Sequence, residues 1–402
     1  MKAVGVVVEY NPFHNGHLYH LRESKKLSNA DVTIAVMSGY FLQRGEPAFV
    51  SKWARTKMAL DSGIDLVVEL PYAFATQKAE TFANGAVSIL EALGCNYLCF
   101  GSEDGTIDSF INAANLVLKE NERYDELIKQ YIQTGVNYPT AITRAFQNLI
   151  KNDKVVDLSQ PNNILGYHYV KAMLIQKTKM KPLTIVRTAA GYHEENFVSP
   201  SIASATSIRK AILTNSHDIS RYVPVETKRV LDEYFHANQL YHHWEHYFDY
   251  LKYALMTMSG DELRTVYEME EGLEHRLSKF IRTSHSFQEF MENVKTKRYT
   301  WTRLQRLCLH ILTRTTKQNM ENMTPLEKSP YIRLLGMSLK GQEYLRTIKK
   351  QLDIPLISKV SDGLHPILDL DLKAATIFHM IFSEPLRSEL LKREYNTPPI
   401  RG

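Results

Sequence analysis

Two histidines, His14 and His17, flank Asn15-Gly16 in the stretch VVEYNPFHNGHLYH at residues 7–20. Neutral imidazoles donate hydrogen bonds without carrying a fixed charge, and they can become cationic as negative charge develops on a bound group. Gly16 lets the backbone approach a ligand with no Cβ in the way, and Pro12 stiffens the entry. The run before the pair is made of small β-formers and the run after it has a helical period, so the histidines sit where a strand passes into a helix. Free N–H groups and the positive end of the helix dipole favour phosphate there. As a bare pattern, His-x-Gly-His recurs by chance, and a turn glycine beside surface histidines explains it as well.

A second stretch, SATSIRKAI at 204–212, puts Ser204, Thr206 and Ser207 at another helix start with Arg209 on the next turn. Hydroxyls and fresh N–H groups make a second phosphate cradle, and the guanidinium adds a planar donor fork. Taken alone this is an ordinary N-cap.

Both stretches depend on the elements that carry them. Apolar runs at 3–8, 32–37, 64–70, 96–101 and 183–187 predict five strands. Stretches at 16–28, 51–62, 77–93 and 204–214 predict helices, the first with Leu18, Leu21 and Leu27 on one side and the second capped by Ser51. Near-continuous apolar strands separated by helices indicate an α/β fold with a parallel, doubly wound sheet. Residues 106–178 are mostly helical in pattern, broken at GVNYPT and LSQPNN. Beyond about residue 220 short apolar strands give way to amphipathic stretches at 250–258, 261–270, 286–294 and 303–313, so we divide the chain into 1–220 and a mainly helical 221–402. A small α/β element near YIRLLGMSLK is compatible with that pattern.

No window is apolar enough for a transmembrane helix, and MKAVGVVVEYNPF reads as a core strand rather than a signal peptide. The cytoplasm is the expected location. Cys95, Cys99 and Cys308 are too few for a disulfide framework and read as buried thiols. The net charge of +5 is only mildly basic. Basic residues concentrate in KTKRYTWTRLQR (295–306), where Lys295, Lys297 and Arg298 beside Tyr299 and Trp301 suit RNA; a solvated helix face suits the pattern equally.

The pairing of His14, Gly16 and His17 with Thr206, Ser207 and Arg209 resembles the HxGH nucleotidyltransferase superfamily. GVVVEYNPFHNGHLYHL, MSGYFLQRGEPAFVSKWARTKMAL, GIDLVVELPYAFATQKAETFANGAV, LCFGSE, QPNNILGYHYVKA and SATSIRKAI narrow this: together they are similar to the bacterial tRNA(Met) cytidine acetate ligase family over residues 5–212. The resemblance implies a Rossmann-like nucleotidyltransferase domain followed by a tRNA-binding helical region. It also implies that ATP and acetate form acetyl-adenylate and pyrophosphate, and that the acetyl group passes to N4 of the wobble cytidine of elongator tRNA(Met).

Under that implication His14 and His17 are the catalytic pair. Val7, Val8, Glu9, Tyr10, Asn11, Pro12, Phe13, Asn15 and Gly16 complete the first ATP-binding segment, with Gly101, Asn162, Arg187, Thr206, Ser207 and Arg209 contributing later. Gly101 leaves room for adenine or ribose at the end of a strand. Acetate needs a small pocket with a cation or amide donors, for which Gln43, Arg44, Lys52 and Arg55 are candidates. Mg2+ is expected to accompany ATP, without a protein cage. Two other readings use the same residues: an adenylyltransferase acting on a phosphorylated cofactor precursor, and a nucleotide-sensing RNA-binding module without turnover. The helical region of some 180 residues argues against the first, and the intact histidines and late Ser/Arg stretch against the second.

Overall fold

The apolar runs build one sheet. In the computed structural model, which describes residues 1–150, 154–187, 201–324, 327–361 and 365–402, five parallel strands are β1 (Ala3–Val8), β2 (Val32–Ser38), β3 (Leu66–Leu70), β4 (Tyr97–Ser102) and β5 (Lys181–Val186). Their order is β5-β4-β1-β2-β3. Every residue of β2 and β3 is buried, as expected for parallel strands covered on both faces. The chain steps from β1 to β3 in one direction and then returns to set β4 on the other side of β1. Val4 thus pairs with Thr33 on one side and Tyr97 on the other. That reversal opens a crevice at the carboxyl ends of β1 and β4, the place where such sheets bind ligands.

The helix α1 (Asn15–Ser28) leaves the end of β1. Its buried residues are Leu21, Ser24 and Ser28, while Leu27 is 53% exposed, contrary to the leucine stripe expected from sequence. The serines fit because their hydroxyls turn back onto the helix: Ser24 Oγ donates to the His20 carbonyl at 2.7 Å and Ser28 Oγ to that of Ser24 at 2.6 Å. The helix α2 (Lys52–Asp61) is capped by Ser51, whose hydroxyl accepts the Ala54 N–H at 3.2 Å.

Beyond residue 220, helices Phe248–Thr257, Leu273–Ile281, Phe287–Val294 and Trp301–Leu312 bury Leu251, Leu277, Phe290 and Leu307. The stretch 261–270 is helical only over Gly260–Thr265; Val266 instead bridges Thr316, and Glu268 takes a left-handed φ of 62°. The sheet itself crosses the division at residue 220. β6 (Ile332–Met337) pairs antiparallel with β3, and the short β7 (Leu356–Ile357) and β8 (Ile400–Arg401) run parallel to β6.

Charge fastens this junction. Lys52 Nζ lies 2.8 Å from Glu69 on β3 and 2.5 Å from Glu394 in helix Leu386–Asn396. Arg333 on β6 reaches the same two carboxylates at 3.4 and 2.8 Å. All four side chains are buried, so removing one strands the others' charge in a low-dielectric interior. Lys52→Ala is expected to cost about 3–5 kcal/mol of stability in urea denaturation; a loss below ~1 kcal/mol, the size of an exposed pair, would show that the network does not hold the junction.

Candidate active site

The start of α1 is capped by its own histidines. His14 is the N-cap, and its Nδ1 accepts the Gly16 N–H at 3.0 Å. His17 answers from the third helical position, where its Nδ1 accepts the His14 N–H at 3.2 Å. This is a capping box written in imidazoles rather than in a hydroxyl and a carboxylate. The rings stack with centroids 3.7 Å apart. A backbone N–H can only donate, so each Nδ1 must accept, and the proton of each neutral ring resides on Nε2. Gly16 is needed for this cap: a Cβ there would lie 2.8 Å from His14 Cε1.

Burial, reinforced by Arg187 and Arg209, pushes His14 down to about 3. Burial also holds His17 well below the usual imidazole value, with His14 and Arg187 adding to it. Both are therefore neutral donors at pH 7. His20, His168, His310 and His379 are each lowered to about 4, chiefly by burial. Such groups take up protons on unfolding but not in the native state, so stability is full above about pH 6.5 and falls as the pH drops towards 4. Burial raises Asp371 to about 7 and Glu9 above its ordinary value, which works in the opposite sense, but as two carboxylates against nine histidines among the described residues, since His242, His243 and His246 are lowered too. The urea midpoint is expected to be lower at pH 5 than at pH 7.5; an equal or higher midpoint at pH 5 would contradict this balance.

A cavity of about 270 Å³ opens at the crevice between β1 and β4. Val7, Val8, Glu9, Tyr10, Asn11, His14, Gly16 and His17 line it from β1 and α1. Gly101, Asn162, Arg187, Thr206 and Arg209 line it from the other side. Residues nearly two hundred positions apart are thus brought to one space. Pro12, Phe13, Asn15 and Ser207 do not line it; the last three support it. Phe13 is fully buried and packs against Tyr10 and His17. Asn15 Nδ2 donates to the carbonyls of Ser201 and Arg221, both at 2.9 Å, tying α1 to the chain around helix Ala205–Thr214. The Ser207 N–H is capped by Ser204 Oγ at 3.0 Å.

Arg209 donates from Nη1 to the Asn11 carbonyl at 2.9 Å and lies 3.4 Å from Glu46. Arg187 continues β5, its N–H donating to the Ser102 carbonyl at 2.9 Å. Its side chain takes the room that Gly101 leaves, since a Cβ on Gly101 would meet Arg187 Cγ at 3.2 Å. Asn162 gives its amide to Glu103 at 2.6 Å, and Glu103 also accepts the Asn163 N–H at 2.8 Å at the start of helix Pro161–Ile175.

Of the four acetate candidates, Gln43 and Arg44 line the cavity and Lys52 and Arg55 do not. Lys52 is spent on the buried network, a correction to the sequence reading. Arg55 is fully buried beneath the site, donating to the carbonyls of Glu9 at 2.7 Å, Ser38 at 2.9 Å and Gly39. The loop bearing Gln43 and Arg44 is gripped from the C-terminal half. Gln305 donates to the Arg44 carbonyl and Trp244 Nε1 to that of Gly45, each at 2.9 Å. Gly45 has φ 78°, and a Cβ there would lie 2.7 Å from the Arg306 backbone.

Lys295, Lys297 and Arg298 are exposed after helix Phe287–Val294 and do not line the cavity. The neighbouring aromatics are committed to the fold: Tyr299 is buried and Trp301 Nε1 donates to Gln305. Arg303 and Arg306 pair with Glu270 and Glu268. Sequence reasoning missed His20 and Tyr169 in the lining. His20 was legible, lying one helical turn beyond His17 on the same face. The three cysteines are buried free thiols, as expected. Among the described residues no cluster of three or more His, Cys, Asp or Glu side chains could hold a metal ion.

Residues 1–393 match the HIGH Nucleotidyl Transferase family. The chain is 53% identical to the tRNA(Met) cytidine acetate ligase of Geobacillus sp. strain WCH70, covering 100% of both chains. It is 53% identical to the Bacillus subtilis strain 168 protein of the same name, covering 100% of this chain and 97% of that one. The crystal structure of apo Thermotoga maritima TmcAL (form I) superposes with TM-score 0.92 at 32% identity, covering 100% of this chain and 99% of that one. The form II crystal of the Thermotoga protein bound with alpha-thio ATP gives TM-score 0.89 at 32% identity over 100% of both chains. With the capped histidine pair and the distant Ser/Arg helix start facing one cavity, this chain belongs to the tRNA(Met) cytidine acetate ligase family of HIGH nucleotidyltransferases.

Proposed function

We propose that the protein is an ATP-dependent ligase that activates acetate as acetyl-adenylate and acetylates N4 of the wobble cytidine of elongator tRNA(Met). The observation that carries this is the meeting, in one cavity, of two neutral Nε2–H donors, two guanidinium groups and the start of helix Ala205–Thr214. That set suits a polyphosphate running from α1 to the later helix.

In the first step an acetate oxygen attacks the α-phosphorus and the bond to pyrophosphate breaks. Acetate is ionised at neutral pH, so no base is needed. The chemical work is positioning and stabilising charge on the five-coordinate phosphorus. His14 and His17 donate Nε2–H to its oxygens without a protonation cost, while Arg187 and Arg209 neutralise the triphosphate. Gln43 and Arg44 hold the acetate carboxylate. Mg2+, were it to accompany ATP, would supply charge neutralisation, and the described residues offer it no carboxylate or imidazole cluster. In the second step the wobble base leaves the anticodon stack to reach the acetyl carbon.

The test is ATP–pyrophosphate exchange. The account expects exchange that requires acetate; exchange driven by a phosphorylated small molecule and indifferent to acetate would replace it with an adenylyltransferase. Stable bound ATP, unchanged with acetate and tRNA present, would favour the sensing module. The reading places the enzyme in the cytoplasm with its tRNA. Neutralising Lys295, Lys297 and Arg298 together to glutamine is expected to weaken tRNA binding and flatten the slope of log affinity against log salt by about 2. An unchanged slope would move the tRNA surface elsewhere.

A further inference from the structure

We infer that the Glu9 carboxylate is the general base of acetyl transfer, accepting the proton that cytidine N4 loses as it attacks acetyl-adenylate. This rests on the ligase reading above. The two steps differ in their need for a base. Acetate arrives without a proton to lose, but an exocyclic amine is a poor nucleophile and must shed one proton to end as an amide. In the step, the N4 lone pair bonds to the acetyl carbon and the bond from that carbon to the phosphate oxygen breaks. Its electron pair departs with AMP, and the N4 proton passes to Glu9 and then to water.

Among the described residues the cavity holds few candidates for that acceptor. His14 and His17 cannot serve, since each Nδ1 already accepts a backbone N–H and each Nε2 carries the ring proton. His20 Nε2 is sealed from solvent, with no hydrogen-bond partner among the described residues. Burial raises the Tyr10 and Tyr169 phenols far above neutrality, so both stay protonated. Glu46 leans on Arg209 at 3.4 Å. Glu9 remains.

Its placement suits the task. Glu9 follows directly on β1, and Arg55 Nη1 grips its carbonyl at 2.7 Å from below. One carboxylate oxygen accepts the Gln43 N–H at 2.9 Å. The other has no hydrogen-bond partner among the described residues, and Glu9 is one of the residues lining the cavity. Burial raises its pKa, the Gln43 N–H opposes this, Glu46 raises it further, and Arg44 and Arg55 lower it. Among the described residues, Tyr169 on helix Pro161–Ile175 is a further titratable group beside it. The net upward shift brings the carboxylate closer to neutrality, as a general base requires.

Glu9→Gln keeps an acceptor for the Gln43 N–H but cannot take a proton. Three rates separate the possibilities: acetate-dependent pyrophosphate exchange, trapping of the activated acetyl group by hydroxylamine, and single-turnover acetylation of tRNA. Hydroxylamine is a strong nucleophile that needs little help from a base. The ratio of tRNA acetylation to exchange is expected to fall about a hundredfold in Glu9→Gln. The ratio of hydroxamate formation to exchange should hold, and Glu9→Asp should recover part of the loss. Wild-type acetylation should rise with pH through one ionisation that is missing from Glu9→Gln. If all three rates fall together, or the pH profile is unchanged, Glu9 is structural and the inference fails, while acetate-dependent exchange by the wild type keeps the ligase reading. If the wild type shows no acetate-dependent exchange, the ligase reading itself fails.

Discussion

Replacing His14 by asparagine is expected to lower acetate-dependent pyrophosphate exchange by about two to three orders of magnitude, the loss typical of removing one preorganised donor, while the protein stays folded. The choice of residue matters, because His14 has two jobs. Its Nδ1 caps α1 through the Gly16 N–H, and under the proposed mechanism its Nε2–H donates to the phosphate. Alanine would remove both and cost about 1 kcal/mol of helix stability, mixing folding with chemistry. Asparagine is among the best N-caps and keeps the first job alone. His17→Gln is the matching change, since glutamine at the third helical position can accept the His14 N–H in a capping box. Thermal melting read beside exchange separates the two effects. Full exchange by either variant would mean that the imidazoles are caps and nothing more.

Arg209→Lys is expected to fare little better than Arg209→Ala, with both losing on the order of a hundredfold or more in exchange. One arm of the guanidinium holds the Asn11 carbonyl at 2.9 Å, fixing the turn that delivers His14 to its helix, and the other faces Glu46 and the cavity. A planar fork can hold a carbonyl and meet a phosphate at once, whereas an ammonium is a point charge on a flexible stem. Charge alone therefore should not rescue. Recovery to near wild-type exchange in Arg209→Lys would show that Arg209 acts only through its charge.

Much of this site was legible because its parts are local. The strand ends, the helix starts and the residues at each are set by short-range pattern, so β1 to β5, α1 and the Ser204 cap could be read directly from sequence. What escaped was set by contacts across the chain. A lysine at the start of a helix reads as solvated or as a ligand for an anion. Only the fold brings Glu69 and Glu394 onto Lys52, 17 and 342 residues away. One clue stood in plain view: Glu69 is a charge inside the buried run LVVEL, and a buried charge needs a partner. The pairing of β6 on the edge of β3, and the grip of Trp244 and Gln305 on the loop bearing Arg44, carry no local signal. The reason for Gly16 also changed. It serves the fold of the His14 ring over the helix start as well as the space beside a ligand.

The central claim is that acetate itself, activated by ATP, ends on the wobble cytidine. Incubating the protein with ATP, carbon-13-labelled acetate and unmodified elongator tRNA(Met), then digesting the tRNA to nucleosides for mass spectrometry, tests it most directly. The account predicts N4-acetylcytidine carrying the label, formed only when ATP and acetate are both present and absent from tRNA with another wobble base. Acetylcytidine without the label, or consumption of ATP with no acetylated nucleoside, would contradict it.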